Sequence, residues 1–254
     1  MICRPGPPMV DADLTRPGSP SKPSAAQSYE ANELITIEGA ARRYETPAGP
    51  VNAVSGATLA LEAGQFVALV GASGSGKTTL LNLIAGLDVA DEGSIRVGPH
   101  LVTEMTEAER AKLRLETIGV IFQDDNLIAE FRAGENVEIP LLARGIGAAE
   151  ARARAVAAMA EMQISELVDR WPSEMSGGQR QRVGVARALA SSQKVLLADE
   201  PTGSLDSENS RLLFHHLAML AHDHDVCVLV ATHDPLAHEF ADRAITMRDG
   251  RIQV

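Results

Sequence analysis

The sequence has few aromatic residues, few cysteines and a deficit of positive charge, and each shortage excludes a class of protein. Aromatic residues make up 3% of the 254 residues, too few for stacking on nucleic-acid bases to be a general mode of binding. Of the two cysteines, Cys227 lies in the apolar run VCVLVA, so we predict a core residue there and no disulfide framework. Lys and Arg number 23 against 34 Asp and Glu, and the net charge of −11 argues against broad binding to nucleic acid or anionic lipid.

Long apolar runs are also missing. No stretch approaches the roughly 18 to 20 apolar residues that a membrane-spanning helix needs, and the first residues lack the apolar segment of a signal peptide. These absences predict a cytoplasmic protein. The 45% hydrophobic content is nevertheless enough for the core of one large domain.

The chain divides into a short N-terminal segment and one long domain. Residues 1–32 hold six of the thirteen prolines and show no hydrophobic period, which predicts a disordered tail. In residues 33–254, the apolar runs FVALVG, IGVIF, VLLAD and VCVLVAT alternate with helical patterns, as in a parallel sheet covered by helices. We predict an α/β fold with a mostly parallel sheet, an antiparallel β subdomain near the N-terminus, and an α-helical subdomain inserted at about 101–190.

The clearest motif follows the buried strand FVALVG. Gly71-x-x-x-x-Gly76-Lys77-Thr78 opens a helix, and this strand-to-helix setting separates a phosphate-binding loop from a chance glycine-rich turn. Glycines let backbone amides surround phosphate, the lysine reaches the terminal phosphates, and the Thr78 hydroxyl can bind Mg²⁺. The predicted binding segment comprises Gly71, Ala72, Ser73, Gly74, Ser75, Gly76, Lys77, Thr78 and Thr79.

A second motif, VLLADEPTGSLD, brings Asp199 and Glu200 to the end of a buried strand. Two acidic residues at a strand end more commonly form a solvated turn, but ligand sites of α/β proteins lie at this edge of the sheet. An aspartate there can hold Mg²⁺, and a neighbouring glutamate can orient or deprotonate an attacking water. The upstream phosphate-binding loop favours this second interpretation.

The third motif, SEMSGGQRQR, begins a helix with two glycines. Ser176 and Gln179 form a capping-box pattern, which explains these two residues but not Gly177 and Gly178, because each glycine costs about 1 kcal/mol in a helix. Bare amides at a helix N-terminus bind anions. We therefore predict that a phosphate group approaches this turn.

Further elements in the same order make the sequence similar, over residues 34–254, to the ATP-binding cassette of ABC transporters, a P-loop NTPase. They are FQ at 122–123, SGGQ at 176–179, SLD at 204–206 and TH at 232–233. The resemblance implies ATP and Mg²⁺ as ligands and a dimer of two copies. In that dimer each ATP lies between the phosphate-binding loop of one copy and the SGGQ turn of the other.

The same resemblance assigns roles to individual residues. Glu200 matches the catalytic base, His233 the histidine that contacts the γ-phosphate, and Gln123 a catalytic-site glutamine that contacts Mg²⁺ and senses the transport partner. Asp206 matches a residue that communicates across the dimer, and Tyr44 matches the aromatic residue that stacks on adenine. Together with Gln123, the metal ligands are Thr78 and Asp199. Without the family match, Tyr44 and His233 would be ordinary structural residues.

Other histidines and other cassette proteins offer alternatives. His215, His216, His222 and His224 could suggest a metal cluster, but they lie on a polar helix without a cysteine partner. The roughly 100 residues between Gly71 and Ser176 are too few for the long coiled coil of a chromosome-maintenance ATPase. Cassette translation factors carry two cassettes in one chain, and this chain has one.

The segment FQDDNLIAEFRAGENVEIPLLARG indicates a subgroup. It resembles cassettes of lipoprotein-release, macrolide-export and antimicrobial-peptide-resistance systems and of the related cell-division system. The resemblance implies a second copy of the chain and integral-membrane permease subunits as partners, no nucleic acid, and a peripheral location on the cytoplasmic face of the membrane through the permease. The alternative is a non-transport regulator of the cell-division type.

Overall fold

The computed structural model describes residues 33–123 and 126–253. The predicted disordered tail, residues 1–32, lies outside this part of the chain. The strands are β1 Glu33–Thr46, β2 Gly49–Glu62, β3 Phe66–Val70, β4 Glu92–Val97, β5 His100–Leu101, β6 Ile118–Ile121, β7 Val195–Asp199, β8 Cys227–Thr232, β9 Arg243–Arg248 and β10 Arg251–Gln253. The helices are α1 Lys77–Ile84, α2 Glu107–Glu116, α3 Ala133–Ala143, α4 Ala148–Glu161, α5 Gly177–Ala190, α6 Ser207–His224 and α7 Ala237–Phe240.

The larger sheet has the strand order β10-β9-β3-β8-β7-β6. Strand β3 pairs in parallel with β8 and β9, and β7 pairs in parallel with β6 and β8, whereas β10 is antiparallel to β9. Every residue of β7 and β8 is buried, as expected for parallel strands covered on both faces. The predicted mostly parallel α/β sheet is confirmed, and the N-terminal antiparallel sheet is present with the order β2-β1-β4-β5.

Alternate residues of β3 face two separate hydrophobic layers. Phe66 and Ala68 belong to the layer that includes the buried faces of α5 and α6. Val67 and Leu69 belong to the layer formed with α1 and the antiparallel sheet. This alternation follows the two-residue period of a strand, and it anchors β3, which leads directly into the glycine-rich loop, between the two layers.

Helices α3, α4 and α5 pack together through residues such as Val137, Met159 and Val183, all at 0% exposure. Strand β6, although it falls within the region predicted to be mostly helical, pairs with β7 in the core sheet. The three packed helices therefore follow β6 in the chain. In the described part of the chain, none of the helices has the length and apolar character needed to cross a bilayer.

Cys227 is fully buried in β8, as its apolar surroundings predicted. Burial raises the pKa of its thiol to about 12. Because the thiolate is the reactive form of cysteine, Cys227 packs in the core and does not act as a nucleophile.

Candidate functional site

The loop between β3 and α1 has room only for glycine at two positions. A Cβ atom on Gly71 would lie 2.3 Å from the Met247 carbonyl oxygen, and one on Gly76 would lie 2.1 Å from the Ala53 carbonyl oxygen. Gly76 also has a φ of +104°, which side chains rarely adopt. These contacts explain why the first and last glycines of the motif stand where they do. Between them, residues 72–74 are exposed, so the loop presents its backbone to solvent.

Lys77 begins α1 and returns its side chain to the same loop. Its Nζ donates hydrogen bonds to the carbonyl oxygens of Gly71 at 2.8 Å and Ala72 at 3.3 Å, and lies 3.6 Å from Oε1 of Glu200. The lysine is only 6% exposed. The first-turn amides of a helix have no partner within the helix, so the ammonium group and these amides together form a site for an anion.

Three predicted metal ligands lie around one cleft. Thr78, Gln123 and Asp199 line a cavity of about 480 Å³. Oδ1 of Asp199 is buried and has no hydrogen-bond partner among the residues that the structure describes. Burial raises the pKa of Asp199, and repulsion from Glu200 adds to this effect, whereas the Thr78 hydroxyl and Lys77 oppose it. An unpartnered buried carboxylate oxygen beside a hydroxyl and an amide is a donor set that fits Mg²⁺.

Glu200 lies at the end of β7 in an unusual backbone conformation. Its φ is +45°, and its amide donates to the Ala231 carbonyl oxygen at 2.8 Å. Oε2 lies 2.9 Å from Nδ1 of His233 and accepts hydrogen bonds from the His233 amide at 3.3 Å and the Thr232 hydroxyl at 3.2 Å. Such a backbone conformation costs of the order of 1 kcal/mol. The ends of β7 and β8 together hold the carboxylate beside Lys77 and His233.

The capping box predicted at the start of α5 is present. Ser176 Oγ accepts from the Gln179 amide at 3.3 Å, and the Ser176 amide donates to Gln179 Oε1 at 2.9 Å. The two glycines differ in their surroundings. A Cβ on Gly178 would lie 2.9 Å from the Ser204 carbonyl oxygen of the same chain, whereas one on Gly177 would meet nothing closer than 4.0 Å. Packing within the chain thus explains Gly178, and only Gly177 leaves open backbone at the helix start.

Asp206 and Tyr44, the two remaining predicted residues, have contacts of their own outside the pair Asp199 and Glu200. Asp206 is exposed and caps α6 by accepting from the Asn209 amide at 2.8 Å; this bond is the largest cause that lowers its pKa. The Tyr44 hydroxyl donates to Asp88 at 2.5 Å. Burial raises the pKa of Tyr44, and the nearby Thr79 of α1 opposes this rise. The Arg42 guanidinium lies 4.9 Å from the centroid of the Tyr44 ring. Tyr44 therefore lies close to the start of α1, with the Arg42 guanidinium over its ring.

Sequence reasoning missed four residues that hold this arrangement together. Arg42 and Asp88 fix the ring and hydroxyl of Tyr44, and Thr202 is hydrogen-bonded to Asp234 beside the catalytic candidates. Thr202 and Asp234 stand within or directly after the motifs EPTGSLD and TH. Their position in the sequence was a usable signal, although their pairing was not visible there.

Two loop glycines provide a matched test of the steric argument. We expect Gly76→Ala to lower the free energy of unfolding by at least about 2 kcal/mol, because of its contact with Ala53. Gly74 also has a positive φ, of +78°, but has nothing within 4 Å of its Cβ position, so Gly74→Ala should cost only about 1 kcal/mol of backbone strain. Urea unfolding of both variants measures the difference. Equal losses would show that the close contact does not matter.

Known proteins resemble the chain over most of its length. Residues 54–203 match the family model described as ABC transporter. The chain is 43% identical over 219 residues to the macrolide export ATP-binding/permease protein MacB of Hyphomonas neptunium, a match that covers 86% of this chain and 34% of that protein. It is 38% identical over 218 residues to the lipoprotein-releasing system ATP-binding protein LolD 1 of Rhodospirillum rubrum, a match that covers 86% of this chain and 96% of that protein.

A solved structure shows the same fold. It is the dimeric post-hydrolysis state of the ATP-binding cassette MJ0796 bound to ADP and Pi, with a TM-score of 0.84 and 33% identity, covering 87% of this chain and 97% of that one. The chain thus spans about a third of the MacB relative and nearly all of the LolD relative.

Proposed function

We propose that two copies of the chain, which belongs to the ABC transporter family and is one of its ATPase cassettes, close around ATP and thereby move a separate membrane permease. The observation that carries this proposal is the meeting of Lys77, Asp199 and Glu200 at one edge of the parallel sheet. That edge is where α/β folds bind their ligands.

The phosphates of ATP bind the loop from Gly71 to Thr79. Lys77 and the first amides of α1 hold the β- and γ-phosphates, since Nζ of Lys77 lies against the loop and both groups carry positive charge. Tyr44 lies close to Thr79 of α1, and this nearness to the loop supports its role as the platform for adenine.

Thr78, Gln123 and Asp199 would hold Mg²⁺. Their shared cleft and the unpartnered Oδ1 of Asp199 support this assignment. When bound, the ion neutralises charge on the phosphate oxygens. The residues themselves keep the carboxylate, hydroxyl and amide around one cleft.

Glu200 is the general base. Its carboxylate accepts the proton of the water that attacks the γ-phosphate, and His233 contacts that phosphate while it is in place. The hydrogen bonds from Thr232 and His233 to Oε2 of Glu200 support a fixed carboxylate position. Oε1 faces Lys77 at 3.6 Å, on the side where the phosphates bind.

The turn from Ser176 to Gln179 completes the site of the other copy, with Asp206 beside the same interface. The open space beside Gly177 and the dimeric form of MJ0796 bound to ADP and Pi support this arrangement. ATP favours the closed dimer because its γ-phosphate contacts both copies, and hydrolysis removes that bridge. Closure and opening are the movement that the permease receives.

The partner is an integral-membrane permease of an exporter or lipoprotein-release type, and the chain binds it at the cytoplasmic membrane face. The names of the MacB and LolD relatives support this class of partner. The loop before α3 and α3 itself carry exposed apolar side chains that suit this contact: Ile128 at 40% and Phe131 at 41% exposure in the loop, and Leu142 at 44% in the helix.

Copurification tests this partnership. We expect the tagged chain, extracted with mild detergent from its native membranes, to retain an integral-membrane protein, and Phe131→Asp to lose it because a buried charge at the contact is costly. Met219→Asp, on α6 and equally exposed at 40%, is the matched control and should retain the partner. Recovery of the same membrane protein with both variants would remove Phe131 from the contact. Recovery of none with the unaltered chain would contradict the partnership itself.

A further inference from the structure

The loops that follow β7 and β8 are joined by a hydrogen bond between the side chains of Thr202 and Asp234. The Thr202 hydroxyl donates to Oδ2 of Asp234 at 3.0 Å. Thr202 follows Glu200 by two residues and is 7% exposed, whereas Asp234 directly follows His233. The bond, called here the Thr202–Asp234 bridge, thus connects the loop of the proposed base with the loop of the proposed γ-phosphate contact.

The bridge continues into the catalytic pair through further hydrogen bonds. Oδ1 of Asp234 accepts from the Leu236 amide at 2.9 Å, and the Asp234 amide donates to the Thr232 hydroxyl at 3.0 Å. That hydroxyl in turn donates to Oε2 of Glu200 at 3.2 Å. Because Thr232 is fully buried, these bonds have little competition from water and restrict where the carboxylate can lie.

We infer that Thr202 and Asp234 are positioning residues, which hold Glu200 and His233 in the geometry that hydrolysis requires. The inference rests on the proposed roles of Glu200 and His233. Neither Thr202 nor Asp234 needs to touch ATP. Their effect belongs to the chemical step, because a small displacement of a base from its near-attack position slows reaction much more than it weakens ground-state binding.

The turn that contains Thr202 also packs against the start of α5. The Gly203 amide donates to the Glu200 carbonyl oxygen at 3.1 Å, and the Leu205 amide donates to the Thr202 carbonyl oxygen at 2.9 Å, so the loop is a tight turn. The Ser204 carbonyl oxygen of this turn would lie 2.9 Å from a Cβ on Gly178. The turn that carries Thr202 therefore packs against the start of α5, which contacts the ATP of the other copy in the proposed dimer.

Two substitutions at one position test the inference with the full chain. Thr202→Val keeps the side-chain shape and removes the donor, whereas Thr202→Ser keeps the hydroxyl. In steady-state ATPase assays we expect Thr202→Val to lower kcat about tenfold with KM for ATP changed less than about twofold. Thr202→Ser should stay within about twofold of the unaltered chain in both constants. Wild-type kcat in Thr202→Val, or an equal loss in both variants, would overturn the inference.

A double-mutant cycle keeps the test decisive if Thr202→Val proves unstable. If the two residues act through the bridge, Thr202→Val added to Asp234→Ala should lower kcat little beyond Asp234→Ala alone, and full additivity would contradict it. Glu200→Gln, assayed in parallel, distinguishes failure of the bridge from failure of the proposed base. Loss of turnover in Glu200→Gln with no effect of Thr202→Val would overturn the bridge alone. Unchanged turnover in Glu200→Gln would overturn both the proposed base and the bridge.

Discussion

Replacing Glu200 by Gln is expected to lower ATP turnover by at least about 100-fold, while ATP still brings two copies together. Glutamine keeps the length of the side chain and one oxygen that can accept from Thr232 and His233. It cannot take a proton from water, so the chemical step fails although the site is still formed. Phosphate release measures turnover, and light scattering with ATP measures the dimer.

The matched control for this variant is Glu150→Gln. Glu150 lies in the first turn of α4, where its one ion pair among the described residues is with Arg154, four residues on, and such exposed pairs contribute little to stability. Its loss should leave turnover within about twofold of the unaltered chain. If Glu200→Gln hydrolyses ATP as fast as this control, Glu200 is not the base.

Much of the site could be predicted from sequence because its motifs are local. A buried strand, a glycine-rich turn and a helix follow one another from Phe66 to Ile84, and each step has a composition that indicates its structure. The same holds for the apolar run that ends at Asp199. The antiparallel sheet and the mostly parallel sheet followed from the same alternation of apolar runs.

What could not be predicted lies between residues that are distant in sequence. Thr202 and Asp234 are 32 positions apart, and Tyr44 and Asp88 are 44 apart, so no local pattern indicates that either pair is in contact. Gly178 is the clearest case. Because the helix cap does not explain this glycine, the sequence led us to predict that it makes room for a phosphate group. In the folded chain a Cβ at this position would lie 2.9 Å from the Ser204 carbonyl oxygen, so packing within the chain already requires glycine there.

The second large effect concerns the dimer. In the proposed arrangement, Lys77→Ala removes the phosphate contact of its own copy, and Ser176→Arg blocks the site that belongs to the other copy. A homodimer of either variant therefore has no intact ATP site. A mixed dimer pairs the unaltered phosphate-binding loop of one chain with the unaltered Ser176 turn of the other, so it has one intact site.

Ser176→Arg also removes the helix cap seen in the structure, which costs about 1 kcal/mol of stability. Thermal unfolding of the purified variant checks that it is folded, and Ser176→Ala, which loses the same cap without the bulk, is its control. If the arginine acts by blocking the interface, Ser176→Ala should still form dimers with ATP. If Ser176→Ala fails as completely as Ser176→Arg, lost helix stability explains the result.

The most direct test of the composite site is the ATP bound per dimer after the two variants are mixed, with Glu200→Gln in both chains to prevent hydrolysis. We expect that neither variant alone gives an ATP-stabilised dimer, and that the mixture gives one, with a single ATP in each dimer. Ser176→Arg dimers that hold two ATP molecules, or a mixture that forms no dimer while both chains remain folded, would contradict the composite site.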